Sequence, residues 1–234
     1  MRNILLSFFT FLVITNCTFG QTAKVDSLYA KYDEMYGLDM LLHNGKKYFT
    51  DIYSVEGHPF WKGQDELIAD LYIQGKRFKN KQLRYNLNAQ EFILSYSSSK
   101  GEHYPIILTN SLIDSVRAEG ILFIKNILPE ISQSFIQSIY EGNISCFVGR
   151  YKDIVFKKSG GRTRSTFSDE RKDYYLLIEN EINKFNNKAN YLKIFPKEER
   201  KTIRKYWTDN ELKLKNIKDE KFRQLIIFCE RILK

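Results

Sequence analysis

The chain has few of the residues from which metal centres are built. It contains 3 His and 3 Cys among 234 residues, and His43, His58 and His103 lie far apart in the sequence. Zinc ligands usually include a close pair on one element, so this spacing gives no indication of a metal site. The sequence also lacks the Gly-x-Ser-x-Gly, P-loop, Rossmann and His-Glu-x-x-His motifs. It therefore predicts no cofactor and identifies no catalytic residue.

Long apolar runs are absent apart from one at the N-terminus. A single charge at Arg2 precedes the apolar residues 4–14, and small or polar residues follow as far as Gly20. This order is typical of a secretory signal peptide, and the run is too short to span a membrane. We predict a signal peptide over residues 1–20, with cleavage between Gly20 and Gln21.

Lipid anchoring at Cys17 is an alternative, because Ile14-Thr15-Asn16-Cys17 resembles a bacterial lipobox. Either route exports the chain, so we expect a periplasmic or cell-surface location. Export with cleavage leaves Cys146 and Cys229. These two could form one disulfide in an oxidising compartment or serve as small apolar core residues. The sequence leaves both alternatives open.

Positive charge is concentrated toward the C-terminus. The formal net charge is +9, and Lys and Arg clearly outnumber Asp and Glu only from residue 150 onward. A basic surface can bind an anionic polymer or a membrane surface, whereas export argues against nucleic acid. A solvated helical face would give the same pattern. The candidate surface consists of Lys197, Arg200, Lys201, Arg204 and Lys205.

Residues 57–109 alternate apolar and polar side chains, as half-buried strands do. Short turns at Gly75 and at residues 88–90 separate the strands, and such short connections favour antiparallel hairpins. The predicted inward sets are Leu67, Ala69, Leu71 and Ile73, then Leu83, Tyr85 and Leu87, then Phe92, Leu94 and Tyr96, and finally Tyr104, Ile106 and Leu108.

Turn residues suggest assignments for the segments around this meander. Asn44-Gly45 predicts a hairpin turn between strands at residues 40–43 and 47–53. Residues 110–120 fit a short helical turn or a loop. Residues 157–171 fit a long polar hairpin loop or an interdomain connection.

The periodicity becomes helical after the last predicted strand, at residues 174–178. Pro196 is predicted as the first residue of a helix, with an apolar face formed by Ile203, Tyr206 and Trp207. We expect the last helix to pack on this face through its own apolar stripe. The stripe consists of Phe222, Leu225, Ile226, Cys229, Ile232 and Leu233.

This change of period predicts an α+β fold, with a mainly antiparallel β body and a small helical C-terminal unit. The predicted divisions are a signal peptide at 1–20, an N-terminal helical segment at 21–39, an antiparallel β-rich domain at 40–178 and a basic C-terminal helical unit at 179–234.

A set of short motifs is spread over most of the chain after residue 40. It consists of Asn44-Gly45 with Tyr48, Gly57-His58-Pro59-Phe60, Ile73, Gly75, Leu83, Tyr85, Phe92–Leu94, Tyr174-Tyr175-Leu176-Leu177 and Leu192-Lys193-Ile194-Phe195-Pro196. Through these residues the sequence resembles a group of exported proteins of unknown function that is common in Bacteroidota. The resemblance implies a secreted or envelope protein from such a bacterium, and it supplies no activity, ligand or catalytic residue.

Two classes of function are compatible with these features. The first is an exported envelope protein that acts as a non-enzymatic binding or structural module. The second is an exported hydrolase whose site is assembled from residues that are distant in sequence. A cavity with convergent carboxylates or a Cys/His pair would favour the hydrolase, whereas a basic or aromatic surface would favour the binding module.

Overall fold

The structure of the protein, a computed structural model, describes residues 39–49, 55–97, 103–159 and 162–233. The predicted signal peptide, the cleavage site, the lipidation candidate Cys17 and all of the N-terminal helical segment except Asp39 lie outside these residues and stay predictions. The described residues belong to two units, one with residues 39–44, 97 and 103 and the other with residues 45–96 and 104–233.

The smaller unit contains a helical turn, α1, at Met40–His43. The carboxylate Oδ1 of Asp39 accepts a hydrogen bond from the Leu41 N–H at 2.9 Å, as a helix-capping residue does. The predicted strand at residues 40–43 is therefore wrong. The turn prediction also fails, because Asn44 has a φ of −80° rather than the positive φ of a hairpin turn.

The described residues form fourteen strands, and β2 with β12 is the one parallel pair among the eleven strand pairings whose register is defined. This confirms the predicted α+β class with a mainly antiparallel β body. The strands are β1 Gly45–Lys47, β2 Val55–Glu56, β3 Leu67–Ile73, β4 Lys76–Asn86, β5 Glu91–Ser97, β6 His103–Leu108, β7 Ile113–Ala118, β8 Ile121–Lys125, β9 Phe135–Tyr140, β10 Ile144–Tyr151, β11 Ile154–Ser159, β12 Arg162–Phe167, β13 Arg171–Ile178 and β14 Glu181–Phe185.

Eleven of these strands form one sheet in the order β1-β6-β5-β4-β3-β7-β8-β9-β10-β13-β14. Tight turns connect several neighbouring strands. Gln74-Gly75, Glu119-Gly120 and Glu179-Asn180 each place two successive residues at positive φ, which suits the right-handed twist of a two-residue hairpin. The last of these turns adds β14, so the predicted final strand at residues 174–178 is followed by another.

The remaining three strands form a second sheet in the order β11-β12-β2. β11 and β12 pair from Ile154 opposite Phe167 to Ser159 opposite Arg162, and β12 runs parallel to β2. Residues 157–159 and 162–167 are therefore paired strands rather than part of the predicted polar hairpin loop or interdomain connection. Much of this ladder is exposed and polar, so burial imposes no apolar period of two from which strands could be predicted.

β7 corrects the prediction of a helical turn or loop at residues 110–120. Only residues 110–112 form a helical turn, of the 3₁₀ type. An irregularity between Tyr72 and Ile73 shifts the pairing of β3 with β7. The shift leaves Ile113 and Val116 both buried, and their spacing of three imitates a helical period.

Three helices follow the strands: α2 Lys188–Ile194, α3 Arg200–Asp209 and α4 Asp219–Ile232. Pro196 was predicted as the first residue of α3, but the helix begins at Arg200. The carbonyl of Pro196 instead accepts a hydrogen bond from the Glu199 N–H at 3.1 Å, which makes a turn before the helix. Within the described residues, no helix is long and apolar enough to cross a membrane.

The helices cover one face of β9, β10, β13 and β14. Cys146 and Val148 of β10 point to this face and belong to the same core as Phe222 and Leu225 of α4. Phe147 points to the opposite face of the sheet, into a smaller core. The two faces of β10 therefore pack into different cores, because successive side chains of a strand point to opposite faces of the sheet.

The last helix packs as its sequence predicts. Phe222, Leu225, Ile226 and Cys229 are buried in the core that includes Ile203 and Trp207 of α3. The rings of Tyr206 and Phe228 stack with centroids 4.1 Å apart. The end of the stripe is less buried, since Leu233 is 37% exposed.

Candidate functional site

The predicted basic surface lies on α3. Lys201, Arg204 and Lys205 are exposed, and their i, i+3, i+4 spacing places them on one helical face. We call these three residues the basic stripe. Among the described residues, no acidic group lies within ion-pairing distance of any of them. Lys197 is also exposed, in the turn before the helix.

Arg200 differs from the other four predicted surface cations. Its Nε donates to the Phe195 carbonyl at 2.8 Å, and its Nη2 donates to the Lys193 carbonyl at 3.0 Å. The guanidinium thereby satisfies carbonyls at the C-terminal end of α2, a place where cations are favourable. Arg200 therefore connects α3 to the end of α2, and fewer of its N–H donors remain for a ligand.

The apolar side of α3 is withdrawn from solvent. Ile203 and Trp207 are buried, and the indole Nε1 of Trp207 donates to the Leu212 carbonyl at 2.6 Å. No residue of α3 is among the exposed large apolar side chains of the described chain. α3 therefore presents the basic stripe without an exposed large apolar side chain of its own.

A separate cavity of about 340 Å³ opens beside the end of β10. Eight of its nine lining residues carry a polar side-chain group, which makes it a polar site. The lining consists of Leu87, Asn88, Gln90, Ser132, Gln133, Tyr151, Lys152, Asp153 and Asp173. Tyr151 and Asp173 occupy the sheet face opposite the helices, because they alternate with the helix-facing residues of β10 and β13.

The charged groups of the cavity wall have partners of their own. Asp153 pairs with Arg171 at 3.0 Å, and Asp173 pairs with Lys184 at 2.8 Å. The Nζ of Lys152 donates to the His58 carbonyl at 3.0 Å. Burial lowers the pKa of Lys152, and the nearby Glu170 carboxylate opposes this shift. The two carboxylates of the wall are therefore each paired with a cation, whereas the Lys152 ammonium is bonded to a neutral carbonyl.

A buried polar cluster lies on the other side of β10. Arg150 donates through Nε to the Gln137 side-chain oxygen at 2.9 Å and through Nη1 to Glu170. The amide of Gln137 donates in turn to Asp219 of α4 at 2.6 Å. This chain of bonds connects the sheet to the first turn of α4, where a carboxylate is favourable.

The cluster also affects neighbouring titratable groups. Burial lowers the pKa of Lys172, and the charge of Arg150 lowers it further. Burial raises the pKa of Tyr174 to about 12. The hydroxyl of Tyr174 donates to the Leu214 carbonyl at 3.0 Å, so it holds the segment before α4 on the sheet. Tyr174 therefore has a structural partner that explains its position.

The two cysteines of the described chain are free, buried thiols. Burial raises the pKa of Cys146 well above its usual value. Burial likewise raises the pKa of Cys229 to about 12, and its Sγ lies 3.2 Å from the Tyr191 hydroxyl. Of the two alternatives open from sequence, the structure shows small core residues rather than a disulfide.

We expect Cys146 and Cys229 to resist alkylation by iodoacetamide at neutral pH. The thiolate is the reactive form, and a raised pKa keeps each buried thiol protonated. Peptide mass spectrometry should find both cysteines labelled in denaturant and neither labelled in the folded protein. Labelling of folded Cys229 at the rate seen in denaturant would contradict the burial described here.

The histidines do not form a common site. Nδ1 of His58 accepts a hydrogen bond from the Phe60 N–H at 3.2 Å, and burial lowers the pKa of this imidazole. Across the described ranges, no three His, Cys, Asp or Glu side chains are grouped to hold a metal ion. His58 is the turn residue that its position before Pro59 predicts.

The burial of Arg150 and Gln133 is not among the features predicted from the sequence. Arg150 continues the inward alternation of Cys146 and Val148, so its burial could have been predicted from the strand period. Gln133 lies in the irregular stretch between β8 and β9, where no period marks a buried side chain.

Compared with known proteins, the chain matches no family model, no curated protein and no solved structure.

Proposed function

We propose that this protein is an exported, non-enzymatic binding module of a bacterial cell envelope that attaches to an anionic polymer through its basic stripe. The observation that carries the proposal is the exposure of Lys201, Arg204 and Lys205 on one helical face without an acidic partner among the described residues. Unpaired, aligned cations raise the local concentration of polyanions.

A polymer fits this surface better than the interior of a membrane does. Peripheral membrane helices usually combine cations with exposed apolar side chains that enter the acyl region. In α3 the corresponding residues, Ile203 and Trp207, are buried in the protein core. The exposed face therefore offers charge alone, which suits a hydrated polyanion.

A binding role also agrees with the state of the titratable groups. Asp153 and Asp173 line the cavity, but each is paired with a cation. The raised pKa values of Cys146 and Cys229 disfavour a nucleophilic thiolate. These observations support the binding module over the hydrolase.

The variant Lys201→Gln/Lys205→Gln tests the basic stripe. A lysine near an anionic surface contributes about 1 kcal/mol, so two removed charges should weaken binding about 30-fold at low salt. The measurement is retention on a sulfated-polysaccharide resin and on anionic vesicles across a salt series. We expect loss on the resin, and a difference from wild type that shrinks at high salt.

Lys157→Gln/Lys158→Gln is the matched control, because it removes two exposed lysines from β11 and lowers the net charge equally. The control should retain most of the affinity for the resin. Equal losses in both variants would mean that net charge alone governs retention, and would contradict a specific site on α3. Stronger binding of the wild-type protein to vesicles than to the resin would identify a membrane surface, rather than a polymer, as the ligand of the basic stripe.

A further inference from the structure

β11 is an edge strand, and one side of it has no neighbour among the described strands. Its sheet has the order β11-β12-β2, so β12 occupies only one of the two edges of β11. Along that edge the strands pair from Ile154 opposite Phe167 onward. An unpaired edge presents a row of backbone N–H and C=O groups to which another extended segment can bind.

The hydrogen bonds just before β11 show which backbone groups lie on the open edge. The Asp153 carbonyl accepts from the Ser168 N–H at 2.8 Å, and the Asp153 N–H donates to the Ser168 hydroxyl at 3.0 Å. Because this direction alternates along an antiparallel strand, the backbone groups of Ile154, Phe156 and Lys158 point outward. Beyond the pairing with β12, these three residues make no hydrogen bond in the described part of the chain.

The residues of this edge also carry exposed apolar side chains. Phe156 is 73% exposed and Ile154 is 38% exposed. Both lie on the same face of the strand, because they are two residues apart. An exposed apolar edge favours pairing with another chain, and a strand added there would cover part of both side chains.

Two lysines follow the apolar pair and make this edge electropositive. Lys157 and Lys158 are exposed, and neither forms an ion pair with a described residue. The sequence of residues 154–167 contains no Asp or Glu. Glu56 of the neighbouring strand β2 already pairs with Arg164 at 2.8 Å. The open edge therefore lacks a negative counterpart.

We propose that the outer edge of β11 binds an extended acidic segment of a partner protein, which adds to the sheet as a further strand. The backbone of the segment pairs with the outward N–H and C=O groups, and its apolar side chains cover Ile154 and Phe156. Its carboxylates face Lys157 and Lys158. A second copy of this chain is disfavoured as the partner, because its own β11 would bring two more lysines to the same edge.

A partner strand fits this edge better than a membrane does. Inserting Phe156 into the acyl region would carry the outward N–H and C=O groups of the same residue away from water without a partner, which is costly. A partner strand covers the ring and also satisfies these backbone groups. The edge belongs to a different element from the basic stripe, so this inference does not depend on the binding of an anionic polymer.

The probes are two end-blocked peptides, Glu-Glu-Val-Thr-Val-Thr and its reverse. An antiparallel strand would place the glutamates of the first peptide beside the two lysines, and a parallel strand would place those of the second there. Binding is measured on the full chain by fluorescence anisotropy of labelled peptides. We expect one acidic peptide to bind, and its counterpart with lysine in place of glutamate to bind at least about tenfold more weakly.

N-methylation of the peptide separates strand pairing from the attraction of charges alone. In an antiparallel or parallel ladder, only every second residue of a strand directs its N–H to a given neighbour. Methylation of alternate residues should therefore abolish binding in one phase and preserve it in the other. Equal binding of the two N-methylated peptides would overturn the proposal.

Lys158→Pro and Lys158→Gln test the same contact from the side of the protein. Both substitutions remove the charge, but only proline removes the outward N–H, which the ladder with β12 does not use. Lys158→Pro should therefore bind the acidic peptide about tenfold more weakly than Lys158→Gln does, with a similar melting temperature. Phe156→Thr should weaken binding about threefold, because it removes the covered ring.

Two double variants show whether the site lies on β11. Lys157→Gln/Lys158→Gln should weaken peptide binding at low salt. Lys201→Gln/Lys205→Gln is the matched control, since it removes two exposed lysines from α3 and should leave peptide binding unchanged. Equal losses in the two variants would overturn a site on β11, whatever the polysaccharide resin shows.

Two further results would also overturn the proposal. The first is the absence of binding by both acidic peptides at millimolar concentration. The second is a Phe156→Thr variant that loses binding to anionic vesicles but keeps its affinity for the peptide, since this would identify a membrane as the partner of the edge.

Discussion

Replacing Arg150 with Ala should lower the free energy of unfolding by about 3 kcal/mol, because it removes a buried guanidinium from a partly buried ion pair and leaves its partners without a donor. The Arg150 side chain is 6% exposed, and that of its partner Glu170 is 25% exposed. The substitution also leaves the Gln137 oxygen without its donor. Urea unfolding, followed by circular dichroism, measures the change.

Arg171→Ala is the control for this experiment. Arg171 pairs with Asp153, but the two side chains are 53% and 46% exposed, so its loss should cost less than about 1 kcal/mol. The double variant Arg150→Ala/Glu170→Gln should recover part of the stability, because it removes the uncompensated carboxylate. An Arg150→Ala cost no greater than that of Arg171→Ala would contradict a buried, structural ion pair.

Leu225→Ala should cost about 2–5 kcal/mol, as expected for a fully buried leucine whose loss leaves a cavity. Leu225 is 0% exposed and belongs to the core between α4, α3 and the sheet. An isolated helix of this length is marginal in water, so α4 depends on this packing. The midpoint of denaturant unfolding measures the loss.

Lys201→Ala provides the comparison on the opposite side of the same helical layer. Its side chain is exposed, so the substitution should change stability by well under about 1 kcal/mol. Similar losses for Leu225→Ala and Lys201→Ala would mean that the apolar and basic faces of the helices are assigned incorrectly. The comparison also shows whether the basic stripe can be altered without unfolding the protein.

The elements that sequence analysis predicted correctly are those with a strong local period. Leu83, Tyr85 and Leu87 are buried as their alternation predicts, and the last helix buries Leu225 and Ile226. A local period directly reports which side chains face the core. Predictions failed where burial imposed no regular period, as in the exposed β11–β12 hairpin, or where a bulge shifted it, as at Ile113.

The candidate sites show the same division. The basic stripe could be identified from sequence, because Lys201, Arg204 and Lys205 follow a helical spacing and their exposure needs no distant partner. The structural role of Arg200 could not be identified from sequence. Its acceptors are the backbone carbonyls of Lys193 and Phe195, which can accept its hydrogen bonds because α2 ends there.

The sequence by itself determined the α+β class and the amphipathic helices, because both depend on neighbours within a few residues. Only the tertiary structure determined the eleven-strand order, the cluster around Arg150 and the cavity around Gln133. Gln133, in the irregular stretch between β8 and β9, lies against Gly149 of β10. Asn88, from a turn far earlier in the chain, lines the same cavity as Gln133 and Tyr151. Such sites depend on pairing between distant segments, and hydrophobic periodicity carries no information about which strands will be neighbours.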